Sequence, residues 1–288
     1  MEIFVQLLLN GLIAGSLYSL LAIGFNLFYG TVKFFDLAFG TIALVGSYAT
    51  LSFLKNLDLP LLISVMGGIL VGAVLNVIIY KLVYVPIRAR KGSNMVLLVT
   101  SLGVFTILQS LLAILFSSQF QTLRSAGYVP HIFHIYGASV TSVQVLMIAL
   151  AVLVPIVMHF ILKRTKFGRA VRAIGDNEEV ASIVGINTSK VIGGVFFISA
   201  ALSGLAGIMN GLDRGIEPYM GLALLLKGII AAIVGGIGYL WGGVLGGFVL
   251  GLIENFGTWY LPSEWKDAIA FVVLIIFLIF RPRGILSK

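Results

Sequence analysis

The sequence predicts an all-α, polytopic membrane helix bundle of about eight (eight to nine) transmembrane helices, with a short helix held on the cytoplasmic side. Three observations predict it. Of 288 residues, 59% are hydrophobic and only 10% charged, and the mean hydropathy is +1.10. The first apolar run, Ile3 to Val32, holds no charge. The basic residues collect between apolar runs rather than inside them. A soluble domain carries about a quarter charged residues, and a soluble fold of this length cannot hide so much apolar surface. Lipid is therefore the solvent for most of the exterior. That excludes a secreted or cytosolic enzyme, a disordered regulator and a nucleic-acid binder; the net charge of +8 speaks for membrane orientation, with no nucleic-acid partner. Zero cysteines exclude disulfides, thiolate catalysis and Cys-ligated metals.

A spanning helix needs about 20 largely apolar residues and must satisfy its own backbone. Ile3 to Val32 has no basic leader and is too long for a signal-peptide core, so it reads as a retained helix. Further spans are expected over 36–54, 60–80, 95–117, 142–162, 191–211, 223–238, 241–258 and 268–280. Segment 223–238, short and glycine-broken, fits a re-entrant or a spanning helix. The loop 81–91 carries Lys81, Arg88, Arg90 and Lys91. The loop 163–190 carries Lys163, Arg164, Lys166, Arg169, Arg172 and Lys190, and the tail adds Arg281, Arg283 and Lys288. The positive-inside rule puts these three regions in the cytoplasm and 118–141, with only Arg124, outside. Three full crossings before Lys81 put the N-terminus outside; a re-entrant segment near Phe34–Gly40 puts it inside. Residues 1–288 thus form a single transmembrane domain, with 163–190 a cytoplasmic loop within it.

That loop is more than a connector. Phe167, Ala170, Val171 and Ile174 recur at helical spacing, with Arg169 and Arg172 on another face. This is the pattern of an interfacial helix, ended by Gly175. Asp176 and Glu179 stand at capping-box spacing, and Glu178 and Glu179 suit the positive end of a second helix. Gly185 offers its left-handed stop. Val180, Ile183 and Val184 form one apolar stripe on this two-turn helix, which is marginal unless something packs on it. The residues leave two readings open: the stripe rests on lipid or on its own bundle, or it docks a cytoplasmic partner.

The stretch GRAVRAIGDNEEVASIVGIN (168–187) resembles the cytoplasmic loop of permease subunits of ABC importers for branched-chain amino acids. NGLIAGSLYSLLAIGFNLFYG (10–30) resembles the first helix of that family, LKGIIAAIVGGIGYLWGGVLGG (226–247) its glycine-rich segment, and RPRGIL (281–286) its C-terminal signature. FDLAFG (35–40) resembles a motif written there with Asn and His, where this chain has Asp36 and Phe39. The resemblance implies that the short helix couples to an ATPase, through Gly168, Arg169, Arg172, Asp176, Glu178, Glu179, Val180, Ile183, Val184 and Gly185. It implies a non-catalytic, multi-pass subunit of a prokaryotic-type inner membrane, without cofactor. The partners implied are two cytoplasmic ABC ATPase subunits, a second homologous permease subunit, an external substrate-binding protein and membrane lipid.

Gly238, Gly242 and Gly246 form one four-residue ladder, and Gly243, Gly247 and Gly251 another. Such rows let backbones approach closely; simple close packing is the expected role, a sliding helix pair at the translocation axis the alternative. Ionisable groups at membrane depth point to function by default: here Asp36, Lys227 and Glu254. For each, an interfacial or capping role weighs as much as a place in the path. Asp36 stands near Lys33, Lys227 reaches outward by snorkelling, and Glu254 lies near a helix end. Asn10, Asn26, Asn76 and Gln109 belong to an uncharged set suited to passing a zwitterion weakly. His131 and His134 are too few for a zinc site; beside Tyr128, Phe133 and Tyr136 they read as an aromatic outer loop, so no metal is expected. Lys91, Gly92 and Ser93 lack the order of a phosphate-binding loop, so ATP hydrolysis by that route falls to separate subunits. The competing class is an ion-coupled secondary carrier using Asp36 and Glu254. Within the class, the competitor is an ABC permease for urea, amides or sugars.

Overall fold

The computed structural model describes residues 2–123, 131–135 and 137–286. Arg124, Tyr128, Tyr136 and Lys288 lie outside them. The chain opens with α1 (Glu2–Val32), α2 (Ala38–Asn56) and α3 (Leu61–Ile79), the last passing through a π-helical turn, Tyr80–Tyr84, into α4 (Val85–Ala89). Pro86 stands two residues beyond the end of that turn. A proline cannot donate to the carbonyl one turn back and clashes with it, and the wider turn accommodates both defects. The expected span 60–80 therefore runs on as one rod to Ala89.

Next come α5 (Asn94–Phe116), the strands β1 (Ile132–Ile135) and β2 (Ala138–Thr141), and α6 (Ser142–Arg164). The strands pair antiparallel, Phe133 opposite Val140, a small addition to an otherwise helical chain. Thr141 then caps α6 in a full capping box with Gln144, which is why strand turns to helix at that residue. After α7 (Lys166–Asp176) and α8 (Glu178–Ile183), α9 (Thr188–Asp213), α10 (Gly221–Gly235), α11 (Leu240–Gly257) and α12 (Lys266–Phe280) complete the bundle. Counting α3–α4 as one, 7 helices among the described residues are long and apolar enough to cross a membrane: α1, α2, α3–α4, α5, α6, α9 and α11. The remaining expected spans, 223–238 and 268–280, fall on α10 and α12, each 15 residues long.

Contacts sort the helix ends onto two faces. On one, the Ser139 amide donates to Gln6 Oε1 at 2.9 Å, Lys55 Nζ donates to Gln121 Oε1 at 2.9 Å, and Gln121 bridges Ile216. On the other, Arg88 meets Glu178, Gly175 lies on Gly30, and the Ile285 and Leu286 amides donate to the Val234 and Gly235 carbonyls. The second face carries the basic loops, and the positive-inside rule assigns it to the cytoplasm. On that assignment α1 starts outside; Lys33–Leu37 is a turn between two membrane-length helices.

Burial is uneven. The centre consists of α1, α2 and α9 with much of α10 and α11. By contrast α3, α5 and α6 turn large apolar side chains outward, among them Leu62, Ile114 and Leu153. Water penalises such an exterior and hydrocarbon does not. The chain is a multi-pass membrane protein.

Candidate functional site

The loop 163–190 separates into an anchored helix and a presented one. In α7, Thr165 Oγ1 accepts the Gly168 amide at 3.0 Å, Val171 and Ile174 are buried, and Arg172 donates to the Leu162 carbonyl at 2.6 Å. Gly175 does not end α7, which continues to Asp176. A side chain at Gly175 would meet the Gly30 carbonyl at 2.6 Å, so this glycine serves close approach to α1. The cap of α8 is Asn177 rather than Asp176: its side chain accepts the Val180 amide at 3.1 Å. The helix thus begins one residue later than a box of Asp176 and Glu179 requires. Once Asp176 completes α7, the first extended residue is Asn177, and only a residue outside helical backbone can cap.

Glu178 and Glu179 occupy the first turn, where the dipole favours them. At the other end Gly185 has φ +87, and its amide and that of Ile186 donate to the Ser182 and Ala181 carbonyls, both at 3.0 Å. These are the paired bonds of a Schellman stop. Arg88 holds Glu178 at 2.5 Å, tying α8 to the end of α4. Ala181 faces inward and is buried, whereas Val180, Ile183 and Val184 are 53%, 83% and 69% exposed. The chain's own bundle leaves the stripe uncovered.

The two glycine ladders serve different neighbours. Gly243, Gly247 and Gly251 pack on α1, where a side chain at Gly251 would meet the Gly11 carbonyl at 2.5 Å. Gly242 and Gly246 pack on α10 at Gly235. Gly238 departs from the expected ladder: it precedes α11, with φ +82, in a break that Asn26 closes. Asn26 Oδ1 accepts the Gly238 amide at 3.0 Å and its Nδ2 donates to the Tyr239 carbonyl at 2.8 Å. Asn26, Gly238, Arg172 and Asp176 come together on one cytoplasmic groove of about 630 Å³.

The other polar candidates are scattered. Asn10 accepts from Gln6 at 3.0 Å, Asn76 donates to the Phe196 carbonyl at 3.1 Å, and Gln109 is half-buried on α5. Asp36 Oδ1 accepts the Ala38 amide and the Tyr84 hydroxyl, both at 2.9 Å, so its partners are these rather than Lys33. Burial pushes its carboxyl up to about 6, while both hydrogen bonds pull the other way.

Lys227 and Glu254, separate candidates by sequence, form a buried ion pair between α10 and α11. The Tyr18 hydroxyl donates to Glu254 at 2.7 Å, and Lys227 also meets Asp267 at 2.9 Å. No spacing rule links these positions; the only sequence signal is that opposite charges at membrane depth are cheapest together. The cluster lies beneath a cavity of about 340 Å³ beside the outer contacts of Gln121 and Ile216. Arg214, Glu217, Lys266 and Asp267 surround it. Leu17, Ile216, Met220, Leu224 and Phe120 supply an apolar wall, and none of these outer residues was singled out by sequence. Asp36 and Glu254 share no hydrogen-bond or ion-pair partner among the described residues.

Seven membrane-length helices among the described residues, with an apolar exterior and a cavity at each end, define the class: a multi-pass membrane protein. The chain belongs to the family described as the permease component of the branched-chain amino acid transport system, whose model matches residues 7–278. It is 31% identical to the high-affinity branched-chain amino acid transport system permease protein LivH of Escherichia coli K12, over 99% of this chain and 96% of the relative. Identity to the corresponding protein BraD of Pseudomonas aeruginosa is 32% over the same shares. A D-allose transport system permease protein of Escherichia coli, AlsC, is 28% identical over 88% of this chain and 74% of its own length. No solved structure matches.

Proposed function

We propose that this chain is the translocation subunit of an ATP-driven importer that carries branched-chain amino acids through the cell inner membrane into the cytoplasm. The observation that carries the reading is the stripe of Val180, Ile183 and Val184, apolar and uncovered by the rest of the chain on a helix capped at both ends. Burying a side chain such as Ile183 is worth about 1.5–3 kcal/mol, a gain the chain forgoes unless a partner takes it. A cytoplasmic ATPase subunit on each of two permease chains fits that demand. The full-length similarity to LivH and BraD supports the substrate class. An external binding protein delivers the solute, hydrolysis belongs to the ATPases, and this chain is non-catalytic.

The push of ATPase closure on α8 has a physical route inward. Arg88–Glu178 links α8 to the α3–α4 rod, and Gly175 seats α7 on Gly30 of α1. Of the two, the contact with α1 leads to the cavities, because α1 lines both, so a displacement of α8 passed on through α7 reaches them, as rigid-body switching requires. The test is Ile183→Arg. The variant is expected to insert at normal abundance, to lose the ATPase on mild-detergent purification and to lose uptake of radiolabelled L-leucine. Normal uptake at normal abundance overturns the docking assignment.

A further inference from the structure

We infer that the outer cavity between α1, α10 and the start of α12 is the first station of the transported amino acid, recognising its zwitterionic head through Arg214, Lys266, Glu217 and Asp267. This inference rests on the proposed function and adds the residues that meet the solute. The rim carries both signs of charge side by side, as an α-amino acid does. Arg214 and Lys266 suit the carboxylate; Glu217 and Asp267 suit the ammonium. Arg214 touches Asp213 through Nε at 3.7 Å, and its guanidinium fork offers further donors for a carboxylate.

Arg214, Lys227 and Lys266 supply three positive charges; Glu217, Asp267, the Glu254 behind Lys227 and the Asp213 beside Arg214 supply four negative ones. Both signs lie side by side, so the cavity can hold a dipolar solute that offers both. Tyr18 and Asn210 complete the polar lining, and Leu17, Ile216, Met220 and Leu224 form an apolar wall that suits an aliphatic branch. About 340 Å³ lies at the small end of the range for ligand pockets, as a single amino acid requires. Arg214 and Asp267 remain largely exposed, at 59% and 72% of their side chains, so their contacts are weak enough for onward release.

The experiment uses the assembled transporter in membranes: both permeases, the ATPases and the binding protein. Photo-leucine, a leucine carrying a diazirine in its side chain, is delivered and activated, and labelled peptides are mapped by mass spectrometry. Label is expected on the segment holding Ile216, Met220 and Leu224. Excess L-leucine should displace it, whereas isopentylamine, lacking the carboxylate, and isocaproate, lacking the ammonium, should not. Arg214→Gln and Glu217→Gln should each raise the KM for uptake at least fivefold with membrane abundance unchanged, and Arg214→Lys should recover part of the loss. Leucine uptake that is normal in both Gln variants, or label confined to other segments, overturns the station while leaving the importer reading intact. Failure of the wild-type assembly to take up any branched-chain amino acid overturns the importer reading and the station with it.

Discussion

Ile183 and Lys227 are opposites, an isoleucine left 83% exposed by the bundle and a lysine folded into it. The bundle corrects the lysine from its own resources: Glu254, Tyr18 and Asp267 close around it. It does nothing for the isoleucine, although α8 is capped, stopped and pinned with care. The difference separates what the chain completes alone from what it leaves to an assembly. A buried ion without partners costs several kcal/mol and cannot wait. An apolar stripe of a few side chains costs less and can remain open until a partner arrives.

The most severe way to break the bundle half is Gly251→Leu. Its side chain would displace the backbone of Gly11 and Gly15, which cannot yield as a side chain tip can. The cost should exceed the roughly 1–3 kcal/mol of ordinary overpacking, and immunoblotting of membranes should show little folded chain. Less severe is Lys227→Met, which leaves Glu254 buried and charged. Removing one partner of such a pair costs about 3–5 kcal/mol, read as a lower unfolding temperature in detergent. Lys227→Met combined with Glu254→Gln should regain much of that loss; no recovery means that the pair is not what the cluster stabilises.

The smallest effect sharpens the other half. Asn177→Ala removes the cap of α8 and should cost about 1 kcal/mol, all of it local. Abundance and unfolding temperature should stay at wild-type values while ATPase affinity falls about fivefold. A fall in overall stability instead would mean that α8 is part of the bundle and not a presented element.

Much of this was legible along the chain, and the exceptions share a cause. The apolar runs place the spans because a helix in lipid answers to a local rule: enough apolar residues in a row. The Gly185 stop and the stripe of α8 were readable for the same reason, since caps and helical faces depend on neighbours a few residues away. The cap itself slipped from Asp176 to Asn177 because Gly175 was read as a terminator when its role is contact with Gly30, far away in sequence. Gly238 was assigned to a ladder by spacing, yet Asn26 holds it in a break before α11 begins.

The sequence by itself determined the solvent and the approximate spans, which follow from composition and short-range order, and its motifs resemble those of the family. Only the tertiary structure decided which charges neutralise one another, which ladder meets which helix, and that Arg214, Glu217, Lys266 and Asp267 gather around one cavity. Those are distance-dependent interactions between residues remote in the chain. Their energies are set by packing in three dimensions, which no periodicity encodes.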